Sequence, residues 1–126
     1  MSPHHAARIE NVTLDFGRMV EFCRNSGADI IEGAGGVMSP LTEDHTNFDL
    51  IRELAVPVIL VAGNYIGTIT HTLTALKMLE AFDVKVILNE YAKTMNNSAD
   101  IAADIKKFSG HTPLILKYGQ QDCDIK

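Results

Sequence analysis

The run Pro57-Val58-Ile59-Leu60-Val61-Ala62-Gly63 constrains the fold more than any other stretch of the chain. Its residues Val58 to Ala62 are all apolar, with no alternation, so a strand built from them is expected to be covered on both faces, the habit of parallel sheets. Parallel neighbours cannot be joined by a tight hairpin and need a crossover, usually a helix. The residues downstream supply that alternation. From Gly67 to Phe82 the side chains of Ile69, Leu73, Leu76, Leu79 and Phe82 mark one helical stripe, which Asp83 ends. Val84 to Leu88 reads as a second strand, interrupted only by Lys85. Ser98 begins a helix carrying Ile101, Ala102, Ile105 and Phe108 and closing at Gly110, and Leu114-Ile115-Leu116 after Pro113 is a last short strand.

Upstream the signals are shorter. Leu14, Met19, Val20 and Cys23, with Phe16 and Phe22 beside them, predict a helix capped by Thr13 and ended near Asn25-Ser26-Gly27, where Gly27 takes the left-handed cap. Ala28-Asp29-Ile30-Ile31, stopped by Glu32-Gly33-Ala34-Gly35-Gly36, reads as a buried strand feeding a loop. Asn47 is expected to cap a short helix through Phe48, Leu50, Ile51 and Leu54, before Pro57. The expected fold class is α/β: a three-layer, mostly parallel sheet with flanking helices and right-handed crossovers. At about 100–200 residues per domain, the 126 residues make one domain, with a tail from about residue 119 expected to fray.

Composition removes several classes of partner. Lys and Arg number 11 against 16 Asp and Glu, a net charge of −5 with no basic cluster, so neither a nucleic-acid backbone nor an anionic membrane surface is expected to bind. No apolar run reaches the roughly 18–20 residues of a membrane span, and Met1 to Glu10 lacks the layout of a signal peptide; the expected location is the cytoplasm. Cys23 and Cys123 form neither a disulfide framework nor a C-x-x-C pair, and both read as free thiols, Cys23 as a small apolar residue on a helix. The histidines His4, His5, His45, His71 and His111 include no pair at helical zinc spacing. There is no G-x-S-x-G elbow, no G-x-x-x-x-G-K-[ST] and no G-x-G-x-x-G.

In open α/β sheets ligands bind beyond the carboxyl ends of the strands. Three segments fall there: Glu32 to Gly36, Gly63 to Thr68, and Asn89-Glu90. Glu32, followed by glycines that permit close approach, is suited to hold Mg²⁺ beside a nucleotide, or else accepts backbone N–H bonds in a tight turn. Gly67-Thr68-Ile69-Thr70 opens the longest helix, whose first-turn N–H groups offer an anion site unless Thr68 or Thr70 caps them. His71 follows them and either lines a pocket or is solvated.

Read in order, Ser2 to Ala7, then Ile31-Glu32-Gly33-Ala34-Gly35-Gly36-Val37-Met38-Ser39-Pro40-Leu41, then Pro57 to Gly63 with Gly67 and His71, resemble the dethiobiotin synthetases, a family of the P-loop NTPase superfamily. The resemblance runs from Ser2 to about Tyr118. It implies ATP- and Mg²⁺-dependent carboxylation and ring closure of 7,8-diaminopelargonate with carbon dioxide to give dethiobiotin, in biotin biosynthesis. A carbamate forms on one amine, is phosphorylated, and is attacked by the second amine. That chemistry rests on positioning and charge neutralisation, and no residue of this chain is assigned as catalytic.

By the same resemblance Glu32 matches the Mg²⁺ ligand, and Gly35 and Gly36 lie where backbone approaches the substrate. Asn89 matches an adenine-contacting Asn, with Pro113 near the base. Gly67, Thr68, Ile69 and Thr70 match the helix start that receives the diaminopelargonate carboxylate across a homodimer interface. Family members carry a Walker A loop, a catalytic Lys and a second acidic Mg²⁺ ligand in residues that would precede Ser2. Family members commonly have Asn where Thr70 precedes His71. The expectation is therefore a fold incomplete at its N-terminus, inactive alone, which pairs with an N-terminal half chain or self-associates through unpaired strand backbone. The alternatives are a non-catalytic interaction or regulatory domain derived from this fold, or another P-loop amidoligase relative, since those of cobalamin synthesis share E-G-A-G-G.

Overall fold

The computed structural model describes residues 1–91 and 97–121, in two units, Met1–Val56 and Pro57–Lys126. The first unit holds three helices. α1 (Pro3–Glu10) escaped the sequence reading, although its signals are present: Pro3 sits in the first turn, where a missing N–H costs nothing, and Asn11 ends the helix at φ 54°. α2 (Phe16–Asn25) is capped by Asp15, whose side chain accepts from the Arg18 N–H at 3.1 Å, and not by Thr13. Gly27, at φ +66°, turns the chain out of it as expected. α3 (Asn47–Leu54) has Thr46 as its cap, in a reciprocal capping box with Asp49. Asn47 is thereby moved inside the helix, where it is buried.

The expected strand at Ala28–Ile31 does not form. The segment is exposed, with Ile30 77% and Ile31 42% accessible, and the only bridge in this unit among the described residues joins Pro40 to Thr46. A strand is held by its neighbour's backbone, and Met1–Val56 offers this segment none.

The second unit is the parallel α/β arrangement the apolar runs predict. β1 (Val58–Gly63), β2 (Val84–Asn89) and β3 (Leu114–Leu116) lie in the order β1-β2-β3. Both pairings are parallel: Val58 to Gly63 run beside Val84 to Asn89, and Ile87 to Asn89 beside Leu114 to Leu116. α4 (Thr68–Met78) and α5 (Ser98–Ser109) are the two crossovers and pack on each other. Leu79, Leu88 and Ile105 are fully buried between helices and sheet. α4 stops at Met78, earlier than the predicted Phe82, and its buried stripe begins with Thr68 and Thr72 before Leu76. α5 is capped by Asn97 and closed by Gly110 at φ +79°, as the glycine predicts.

The expectation that β1 is covered on both faces fails within this unit, since Ile59 is 45% and Val61 61% exposed. Handedness gives the reason. Strands added in one direction through right-handed crossovers place successive helices on the same face, so α4 and α5 cover one side of the sheet. Residues 122–126, including Cys123 and most of the tail expected to fray, lie outside the described residues. Cys23 is a free thiol on α2. No described helix is long and apolar enough to cross a membrane.

Candidate functional site

In the first unit the loop after Glu32 is shaped by side chains. Ser39 Oγ accepts the Gly36 N–H at 2.9 Å, and the Ser39 N–H donates to the Gly36 carbonyl at 2.9 Å. The Asn47 amide donates to the carbonyls of Ala34 and Gly36, each at 2.9 Å, while its own backbone N–H donates to the Ser39 carbonyl. Farther along, Thr42 Oγ1 accepts from the N–H groups of Asp44 and His45, and the His45 ring stacks on Phe16 at 4.0 Å.

The glycines of this loop differ in what requires them. Gly35 sits at φ +85°, and a Cβ there would lie 2.9 Å from Ser39 Cβ, so the turn itself demands glycine. A Cβ on Gly33 would meet the Asn47 amide at 2.9–3.2 Å. Gly36 has an ordinary φ and nothing within 4 Å of a built Cβ. Neither packing nor backbone strain asks for a glycine at that position.

Glu32 is an exposed carboxylate at the mouth of the loop. Among the described residues no group of three or more His, Cys, Asp or Glu is placed to hold a metal ion. A lone hard carboxylate fits Mg²⁺, which keeps several waters and takes oxygens from phosphate, and does not fit an all-protein cage. The charges nearby are structural. Asp49 is held below the ordinary carboxylate range, chiefly by the Thr46 backbone N–H, then by the Thr46 hydroxyl, with smaller help from Arg52 and His45.

In the second unit β1 ends at Gly63, where a Cβ would meet Tyr91 at 2.8 Å, and the chain turns into α4. Gly67, at φ +92°, is the N-cap and supplies no side-chain bond, and neither Thr68 nor Thr70 caps the helix. The Thr68 N–H reaches the Tyr65 carbonyl at 3.2 Å, and the His71 N–H that of Gly67 at 3.1 Å. The N–H groups of Ile69 and Thr70 have no acceptor among the described residues. Thr68 is 2% exposed, and its Oγ1 is buried without a partner.

These residues line a cleft of about 510 Å³, whose other wall carries Asn97, Asp100, Ile101 and Asp104. One end of the cleft is the positive terminus of a helix, and the other wall bears two carboxylates. His71 stands outside it, paired through Nδ1 with the Tyr65 hydroxyl at 2.9 Å. Asp100 and Asp104 were invisible to motif reading because they lie inside α5, where a charge run reads as a solvated face.

Asn89 is the last residue of β2, opposite Gly63 on one side and Leu116 on the other. Pro113 is buried just before β3, three register steps back from Leu116, which is about 10 Å along the strands. The sheet therefore does not bring Asn89 and Pro113 to the same strand end. Next to Asn89, the Glu90 carboxylate accepts the Tyr118 N–H at 3.2 Å and lies 3.5 Å from Lys117 Nζ. It ties β2 to the end of β3.

The profile of a family described as an AAA domain matches residues 1–116. An ATP-dependent dethiobiotin synthetase BioD of Caulobacter vibrioides is 48% identical over 87 residues, covering 64% of this chain and 40% of that protein. The protein of the same name from Phenylobacterium zucineum is 42% identical over 106 residues, covering 79% and 44%. That of Legionella pneumophila is 38% identical over 90 residues, covering 68% and 42%. The chain spans about two fifths of the length of these curated relatives.

Proposed function

The chain belongs to the AAA domain family, and from that premise we propose that it carries the substrate and Mg²⁺ side of an ATP-dependent dethiobiotin synthetase acting in biotin biosynthesis. The observation that carries this reading is Gly36, a glycine that neither φ nor packing requires. A ligand that must touch the backbone would require it. Support comes from the relatives, which share the name dethiobiotin synthetase.

Mg²⁺ and ATP, when bound, supply charge neutralisation and the phosphoryl group. The chain's own residues position and neutralise. Glu32 offers the ion one carboxylate, and the bare backbone of Gly35 and Gly36 lets the substrate approach closely. At the start of α4, with Gly67 as its cap, the N–H groups of Ile69 and Thr70 and the buried Thr68 hydroxyl receive a diaminopelargonate carboxylate from across a homodimer interface. Asp100 and Asp104 in the same cleft favour a ligand that also carries positive charge, as a diamino acid does. The cleft is the end presented to a second copy in a homodimer. Asn89 is the contact proposed for the adenine of ATP. Pro113, buried away from that strand end, contributes through the seat of β3.

Calorimetric titration of the full chain with 7,8-diaminopelargonate tests the reading. Binding is expected, with Gly36→Ala weakening it at least about tenfold while leaving the urea midpoint unchanged. A wild-type chain that does not bind the diamino acid would favour the non-catalytic domain instead.

A further inference from the structure

Asn47 occupies a position with no apolar reason to be buried. It is the first residue of α3, yet it is only 5% exposed, and its amide lies flat against the glycine loop. The capping duty belongs to Thr46 and Asp49, so Asn47 is free of it. Its Nδ2 divides two hydrogen bonds between the carbonyls of Ala34 and Gly36, the residues flanking left-handed Gly35. Those two acceptors fix the orientation of the amide, since a flipped group would set oxygen against both carbonyls. Its Oδ1 is left buried and without a partner. Burying an acceptor unpaired is unfavourable, and helix capping, already complete, does not explain its retention.

Resting on the reading that the loop after Glu32 meets a ligand, we infer that Asn47 is the positioning residue of that loop. One amide group clamps the backbone on both sides of Gly35, so the carbonyls turn inward onto Asn47 and the open face of Gly36 turns away from them. The clamp requires Gly33 as well, because a Cβ there would stand 2.9 Å from Asn47 Oδ1. Asn47 touches neither ion nor substrate. It acts through the loop, and so its loss changes how Glu32 and Gly36 meet a ligand while α3, capped by Thr46, remains.

The test uses the full chain labelled with ¹⁵N-glycine, with Mn²⁺ as the probe ion. In the wild-type chain Mn²⁺ is expected to broaden the Gly33, Gly35 and Gly36 resonances before those of Gly27 and Gly110. In Asn47→Leu, which keeps the bulk and removes the donors, hydrogen exchange over residues 33–39 is expected to accelerate at least about tenfold. The Mn²⁺ concentration needed for half-broadening should rise by a similar factor, while exchange within α3 stays within about twofold. Glu32→Gln should abolish the broadening and leave loop exchange at its wild-type rate. Absence of broadening in the wild-type chain would end the Glu32 reading by itself, and the exchange data would still decide whether Asn47 holds the loop. Faster exchange with an unchanged Mn²⁺ response would make Asn47 a packing residue only and overturn the positioning role. An unchanged loop in Asn47→Leu would overturn the clamp altogether. Should that variant fail to fold, Gly33→Ala, which displaces the amide with Asn47 still present, decides by the same two readouts.

Discussion

Two turns that leave apolar segments through glycine are built in opposite ways. At the end of β1 the chain is held by a backbone ladder: Gly63 pairs with Asn89 across a parallel register that continues unbroken from Val58. After Ile31 no such ladder continues, and the loop from Gly33 to Thr46 is held by one bridge, Pro40 to Thr46, with the few backbone bonds beside it, and by the amide of Asn47 and the hydroxyls of Ser39 and Thr42. Burial follows the same division. Among the described residues the buried apolar side chains of the first unit are Ala7, Val20 and Leu41, whereas the second has Ala62, Leu76, Leu79, Val84, Val86, Ile87, Leu88, Ile101 and Ile105. The contrast teaches that the second unit owes its stability to apolar burial and the first unit owes its loop to a few polar atoms.

The largest expected effect is therefore in the second unit. Leu88, fully buried in the central strand, should cost about 2–5 kcal/mol on replacement by Ala. Urea unfolding followed by tyrosine fluorescence reports on this unit alone, since Tyr65, Tyr91 and Tyr118 all lie within it and the chain has no Trp. A midpoint unmoved by Leu88→Ala would break the contrast at its stronger end. Next comes the loop. Gly35→Ala should cost about 1–2 kcal/mol for the left-handed backbone alone, with the contact to Ser39 added. Gly36→Ala should stay within about 0.5 kcal/mol. Equal effects at the two glycines, read from exchange over residues 33–39, would erase the distinction between a glycine kept for the turn and one kept for a ligand.

The same division explains what could be read in advance. Strand and helix positions in the second unit were legible because periodicity records burial, and β1, β2, α5 and β3 fall within a residue or two of the apolar runs. The stripe of α4 was half legible, because Thr68 and Thr72 are buried without being apolar. In the first unit Ile30 and Ile31 carry the same β-branched signal as Ile59, but a strand also needs a neighbour, which a local pattern does not contain. Within the candidate site, the chain's entry into α4 at Gly67 was legible from the apolar stripe, although Thr68 or Thr70, and not Gly67, was the cap the residue types offered. The work of Asn47 was not, because it depends on carbonyls 11 and 13 residues earlier. The capping box Thr46-Asn47-Phe48-Asp49 held the clue: recognising Thr46 as the cap releases Asn47 for another duty.

A smaller effect should come from that cap. Thr46→Ala removes the hydroxyl that receives the Asp49 N–H and should cost about 1 kcal/mol. The Thr46 N–H and hydroxyl hold the Asp49 carboxyl below its ordinary value, so the native state takes up this proton less readily than the unfolded chain. The contribution is complete above the unfolded value of about 3.9 and is lost as pH falls through the lower folded value. Exchange protection of α3 should thus drop below about pH 4 in the wild-type chain and change less with pH in Asp49→Asn. A wild-type profile flat down to pH 2 would remove the cap from the account of the loop.

The smallest effect belongs to the most conspicuous polar contact of the first unit. Arg8 donates to Glu43 through both Nε and Nη2, at 2.7 Å for the former, linking α1 to the segment after Leu41. Hydrogen bonding to Arg8 holds Glu43 below its ordinary range. Yet both side chains are more than half exposed, where water and salt screen the attraction and two long side chains lose rotamer freedom to meet. The clamp at Asn47 differs in its donor, a side chain only 5% exposed, whose one amide holds two carbonyls of the loop at once. Arg8→Ala should therefore return the Glu43 carboxyl toward its ordinary titration, visible by NMR, while exchange over residues 33–39 and the unfolding midpoint stay put. If Arg8→Ala instead loosened the loop as much as Asn47→Leu, burial would not be what separates a holding contact from an incidental one, and the loop would have to be understood as tied from its surface.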